Sequence, residues 1–201
     1  MTAPFTLAID VGSPKSNRLG WAAGLQRGGA SSYTPVVDLL AARLFADGRA
    51  TIGFEAPIWA PRRERLLQVT DARQGVERKL GRAWTAGPGA SALATCLGLM
   101  TWTFARIAES APVATTCRLD RWQERGGLLV WEAFVTGVAK LKTHDDDAGT
   151  ALDVFMARWP DLRSDIPPEP ALNLAIASAM SAGLAVEPDE LGAAAIVIAA
   201  T

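Results

Sequence analysis

The sequence predicts an α/β fold organised around short apolar strands that each end on, or contain, a single acid. Three observations carry this. Residues 5–11 (Phe5, Thr6, Leu7, Ala8, Ile9, Asp10, Val11) and residues 50–55 are apolar runs of strand length. Between them Val36, Leu39, Leu40, Arg43 and Leu44 recur at helical spacing. Two strands joined by a helical crossover belong in one sheet, in parallel, with their C-terminal ends on the same edge. The size agrees with this. A chain of 201 residues, 49% hydrophobic and 20% charged, is one globular domain large enough to bury a real core.

Taken in order, the first anomaly is Asp10. An ionised carboxylate in an apolar strand is costly unless it is paired or bound to a metal. Gly12 behind it permits a sharp turn, and residues 20–25 (Gly20, Trp21, Ala22, Ala23, Gly24, Leu25) read as the returning strand of a hairpin. A carboxylate so placed can hold a metal or phosphate ligand over the sheet edge; the alternative is an aspartate that caps the turn. Residues 27–32 read as a loop. Pro35 opens the crossover helix, and Asp47 with Gly48 ends it. The strand at 50–55 ends on Glu55, after which Pro57 keeps Ala56 extended and stops the ladder. Asp10 and Glu55 are therefore expected to face one crevice.

Residues 62–82 carry seven basic side chains against three acidic ones, a local excess of four. In a chain of net charge −1 this is a real asymmetry, read either as a solvated helix face or as an anion-binding segment in which Arg62, Arg63, Arg78 and Lys79 meet substrate phosphates. Gly87, Pro88 and Gly89 break the chain, and a helix follows with Ser91 as N-cap and Leu93, Leu97, Met100, Phe104 and Ala108 as its buried stripe. Residues 118–127 read as polar loop or edge. Residues 128–135 form a third apolar strand, whose one charge, Glu132, is either a third ligand in the crevice or an edge residue turned to water.

His144, Asp145, Asp146 and Asp147 open a helix with Ala148, Ala151, Leu152, Phe155, Met156 and Trp159 inward and Pro160 at its end. Acids in a first turn complement the helix dipole, and Thr143 with Asp146 fits a capping pattern. That explains one or two of them. A cluster of carboxylates that also includes strand acids repels itself and needs a cation. With about 100° per residue, Asp147 falls at the border of the buried stripe, Asp146 points to water, and Asp145 is the rival if the helix starts later. Residues 166–170 are a rigid connector. Leu172, Ala175, Ile176, Ala179, Met180 and Gly183 give another helix face, and residues 193–199 a short closing strand.

Composition bounds function as well. The net charge of −1 gives no overall footprint for nucleic acid. Cys96 and Cys117 lack metal-site spacing and read as reduced packing residues of a cytoplasmic protein. No signal peptide is read at the N-terminus, no uncharged run reaches transmembrane length, and no membrane partner is expected.

The order of motifs resembles an uncharacterised family of predicted RNase H-like nucleases and, more distantly, Holliday-junction resolvases. The likeness runs from Asp10 and the Gly20-Trp21 strand, through Glu55 with Pro57 and the arginine-rich segment, to Trp131-Glu132 and the Asp147-Ala148 helix start. The resemblance implies a single RNase H-like domain over residues 1–201, with a mixed sheet flanked by helices. It also implies a Mg²⁺ or Mn²⁺ site made by acids of the first strand, the fourth strand and the last helix: Asp10, Glu55 and Asp147, with Glu132 a further candidate. Three departures stand out: residues 13–18 stretch the first motif, Glu55 stands where relatives often have aspartate, and no separate third strand is read between Leu25 and Pro35.

On this reading the chain is a metal-dependent, nuclease-like phosphodiester hydrolase acting on nucleic acid or another phosphodiester, with His144 orienting water or a leaving group. The alternative from a different class is a non-catalytic binding or regulatory protein that keeps the fold. A sugar-kinase-like phosphotransferase is a third reading of Asp10, Val11, Gly12 and Ser13, but such enzymes use two copies of the fold. Oligomeric state is left open by the sequence.

Overall fold

The computed structural model describes residues 2–110 and 113–201. The first half of the chain forms β1 (Phe5–Asp10), β2 (Gly20–Ala23), β3 (Gln26–Gly29), α1 (Tyr33–Asp47), β4 (Arg49–Glu55), β5 (Trp59–Pro61) and α2 (Val76–Lys79). The second half forms α3 (Gly87–Ala108), β6 (Thr115–Thr116), α4 (Leu119–Arg125), β7 (Gly127–Val135), α5 (His144–Arg158), β8 (Ala171–Asn173), α6 (Leu174–Ser181) and β9 (Val197–Ala200). The fold is α/β, with a mixed seven-stranded sheet flanked by helices.

Strand order in the large sheet is β3-β2-β1-β4-β7-β6, and β9 also pairs with β7. β1 is antiparallel to β2 and parallel to β4, as the hairpin and the helical crossover require. β7 continues in parallel on β4. Its far edge is shared: β6 pairs with Leu128 and Leu129, and β9 pairs from Glu132 to the end of the strand. β5 and β8 make a separate antiparallel pair.

β1 is buried on both faces, which is why its run is nearly continuous in apolar residues. Leu7 and Ile9 join Val36, Leu40, Phe54, Met100 and Phe104 in the larger core, beneath α1, α3 and α6. Ala8 and Ala22 belong to the second core with Trp131, Ala148, Leu152 and Phe155, beneath α5. On the α5 side β1 and β2 present small residues, Ala8, Ala22 and Gly20, and that lets the helix approach closely there. A Cβ on Gly20 would lie 2.1 Å from the His144 backbone, so only glycine admits the start of α5 there. α1 ends as expected, with Gly48 in the left-handed region at φ 68°.

Several expectations are corrected. β3 lies within residues read as a loop; it is a four-residue edge strand with two glycines and no buried face, so no alternation marks it. Gly87 and Pro88 do not break the chain but form the first turn of α3, where proline needs no amide partner. Ser91 is therefore inside the helix. The buried stripe of α3 is Cys96, Leu99, Met100, Thr103, Phe104 and Ile107, while Leu97 is exposed. By length and composition α3 is apolar enough to cross a membrane, contrary to the expectation that no stretch is. Residues 119–125, read as loop, are helix α4, which buries Trp122 edge-on against Trp159. Leu172 lies in β8, ahead of α6, and is exposed. Gly12 serves a close approach: a Cβ there would lie 1.5 Å from the Arg18 carbonyl oxygen.

Candidate metal centre

Asp10 and Glu55 are register partners at the C-terminal ends of β1 and β4, so their side chains leave the sheet on the same face. That face is the one α5 covers. The close seat of α5 on Gly20 puts its first turn above them. Thr143 is the N-cap, its Oγ1 accepting from the Asp146 amide, and the helix phase follows the sequence reading. Asp146 is partly exposed, accepts from Thr143 Oγ1 and pairs with Arg27, while Asp147 turns inward and is 2% exposed.

Asp10, Glu55 and Asp147 thereby converge, with one oxygen of each within 4.8 Å of the others. Asp147 Oδ1 accepts from the Leu141 amide at 2.6 Å. Asp10 Oδ2 is hydrogen-bonded to His144 Nδ1, which joins the chain's one histidine to the group. Glu55 Oε2 is buried and has no partner among the described residues. Three carboxylates so close, one with an unpartnered oxygen, are the hard oxygen donors that Mg²⁺ or Mn²⁺ takes. The donor set fits such an ion.

Among the described residues Lys140, which the sequence reading missed, supplies the one ammonium or guanidinium in contact with the group. Its Nζ lies 2.9 Å from Glu55 Oε1 and 2.9 Å from Asp147 Oδ2. Burial works against its charge, but the two carboxylates hold its pKa above the ordinary lysine value. Glu55 moves the other way for an acid. Burial, with the Asp10 charge next and Lys140 opposing, pushes its pKa up to about 9. One ammonium does not balance the charge of three carboxylates, two of them buried, and the shift at Glu55 favours its protonated form. The need for a cation was legible in the clustered acids; its identity was not, because Lys140 lies outside every apolar pattern.

Glu132 is not a member of this group. It pairs with Phe54, one residue out of step with Glu55, and so points to the opposite face of the sheet. There both its oxygens are taken: Arg73 Nη1 and Nη2 donate at 2.8 and 2.5 Å, and the Ile58 amide donates at 3.1 Å. Arg73 is itself fully buried, bonded to Glu77 and lying 4.5 Å over the Trp59 ring. This network fastens the arginine-rich segment to the core.

Elsewhere in that segment Arg63 pairs with Glu169, and Arg62, Arg78 and Lys79 are exposed. None of these four lines the cleft that Asp10 and Glu55 face; Arg82 and Trp84 do. The cysteines are free and buried as expected, and burial pushes both thiols well above the usual range.

Compared with known proteins, the chain matches no family model, no curated protein and no solved structure.

Proposed function

We propose that this protein is a divalent-metal-dependent phosphodiester hydrolase of the nuclease-like kind on an RNase H-like fold. The observation that supports it is the convergence of Asp10, Glu55 and Asp147, drawn from β1, β4 and α5, with their oxygens within 4.8 Å. Acids of the first strand, the fourth strand and an Asp-Ala helix start are the set that the sequence resemblance implies. Bound among them, Mg²⁺ or Mn²⁺ supplies Lewis-acid charge to a phosphoryl oxygen and lowers the pKa of a water.

The chain's own residues have separable tasks. Asp10, Glu55 and Asp147 would hold the cation. His144 fixes the Asp10 carboxylate through Nδ1 and can hold or pass a proton at Nε2. Lys140, half-exposed, and Arg82 line the same cleft and can meet a phosphate oxygen. The test is incubation with short single-stranded RNA and DNA in Mg²⁺, in Mn²⁺ and in chelator. Cleavage that needs the metal and disappears in Asp10→Asn is the expected result. The absence of cleavage with either ion would refute the hydrolase reading.

Lys140 favours a second reading, a binding protein whose own half-exposed ammonium is the permanent counter-charge of the carboxylates. Lys140→Met separates the two. A hydrolase site should bind Mn²⁺ at least as tightly without the competing ammonium. A binding protein of the second kind should lose its fold stability and gain no metal.

A further inference from the structure

We infer that the cleft beside the carboxylates takes one nucleotide unit, with its phosphoester toward Asp10 and Glu55 and its base between apolar walls. The inference rests on the phosphodiester-hydrolase reading and narrows its substrate class.

Four observations carry it. The cleft has a volume of about 350 Å³, at the small end of the ~300–1,000 Å³ range of small-molecule sites. Beside the ends of β1 and β4, which supply Val11 and Pro57, its walls come from two further parts of the chain. One is the stretch from Gly81 to the start of α3, which the buried Arg73, Glu77 and Glu132 network ties to the sheet. The other is the end of β7, with Lys140 and His144 beyond it.

The lining is mixed in a way that matches a nucleotide. Val11, Pro57, Trp84, Pro88 and Phe134 offer apolar surface to a flat ring. Arg82 and Lys140 offer cations to a phosphate. A bare sugar phosphate would leave the apolar walls facing water.

Three of the lining residues also carry a buried polar atom without a partner among the described residues: Glu55 Oε2, Trp84 Nε1 and Thr136 Oγ1. Thr136 is itself only 3% exposed. Of the eight such atoms among the described residues these three share one cleft, and a ligand seated there can complete them. An indole N–H and a hydroxyl suit the acceptors and donors on the edge of a base.

The fourth observation concerns length. A protein that grips a long strand neutralises many phosphates with clustered cations. Here Arg62, Arg78 and Lys79 are exposed but do not line the cleft, Arg63 is committed to Glu169, Arg73 is internal, and the chain as a whole carries −1. A single unit needs only the cations at the cleft.

The test is calorimetric titration of nucleoside monophosphates, ribose 5-phosphate and a 20-residue single strand into the protein, with and without Mn²⁺. Mn²⁺ binding is measured separately without nucleotide. The expected result is one site for a nucleoside monophosphate, at least tenfold tighter than for ribose 5-phosphate. Thr136→Val, which keeps the shape, should weaken it about fivefold, the worth of one hydrogen bond, and Trp84→Phe, which also shortens the ring, by at least as much. Equal binding of ribose 5-phosphate would remove the base from the cleft and overturn the inference. So would tighter binding of the 20-residue strand with a steep salt dependence. Mn²⁺ binding without nucleotide binding would refute the inference and leave the metal centre standing; nucleotide binding without Mn²⁺ binding would refute the metal centre alone.

Discussion

Glu55 is the residue on which ionisation of the site turns. Its folded pKa, raised from 4.5 to about 9, means that the native state holds a proton that the unfolded chain releases. The native state therefore binds more protons between those two values, and stability must fall as pH rises across that window. Denaturant unfolding at a series of pH values should show this fall in the wild type and a flatter curve in Glu55→Gln. Parallel curves would mean that Glu55 is charged without metal. Asp10, Glu55 and Asp147 were legible in the sequence because each interrupts or borders an apolar pattern. Glu132 had the same appearance and a different fate, since a strand's alternation assigns a face only once the register with its neighbour is known. Lys140 interrupts no pattern, and its role depends wholly on where the chain turns after β7.

At the scale of elements, the site depends on how α5 sits. The Gly20 position is filled by the His144 backbone, so a methyl group there must push the helix start off the sheet. Gly20→Ala is expected to cost about 1–3 kcal/mol in thermal or denaturant unfolding. It should also weaken metal binding. An unchanged stability would show that α5 is free to shift. The second anchor is Arg73, whose guanidinium serves Glu77 and Glu132 in the larger core. Arg73→Ala leaves two buried carboxylates without a counter-charge and should cost about 3–5 kcal/mol. Glu132→Gln, by contrast, should leave Mn²⁺ affinity within about twofold, because Glu132 faces away from the centre. Elements with a strong period, β1, β4, β7 and α5, were legible to within a residue or two. β3 and α4 were not: a short exposed edge strand has no buried face, and α4 buries one large side chain, Trp122, which is too little for a periodic signal.

At the scale of the whole molecule, the centre is a product of topology. Residues 10, 55 and 147 are brought together because β1 and β4 run parallel, with their C-terminal ends level, and because α5 crosses that edge on the face opposite α1, α3 and α6. The parallel pair and its crossover could be read from the sequence, and so could the inward phase of α5. The side of the sheet that α5 would cover could not, since it is fixed by small residues at Ala8, Ala22 and Gly20 acting together across two strands. The central claim is that this convergence binds a divalent cation. It is tested most directly by calorimetric titration of Mg²⁺ and Mn²⁺ into the wild type and into Asp10→Asn, Asp147→Asn and Asp146→Asn. The account predicts saturable binding in the wild type, a loss of at least about tenfold in Asp10→Asn and Asp147→Asn, and little change in Asp146→Asn. No binding to the wild type, or a greater loss in Asp146→Asn than in Asp147→Asn, would contradict it.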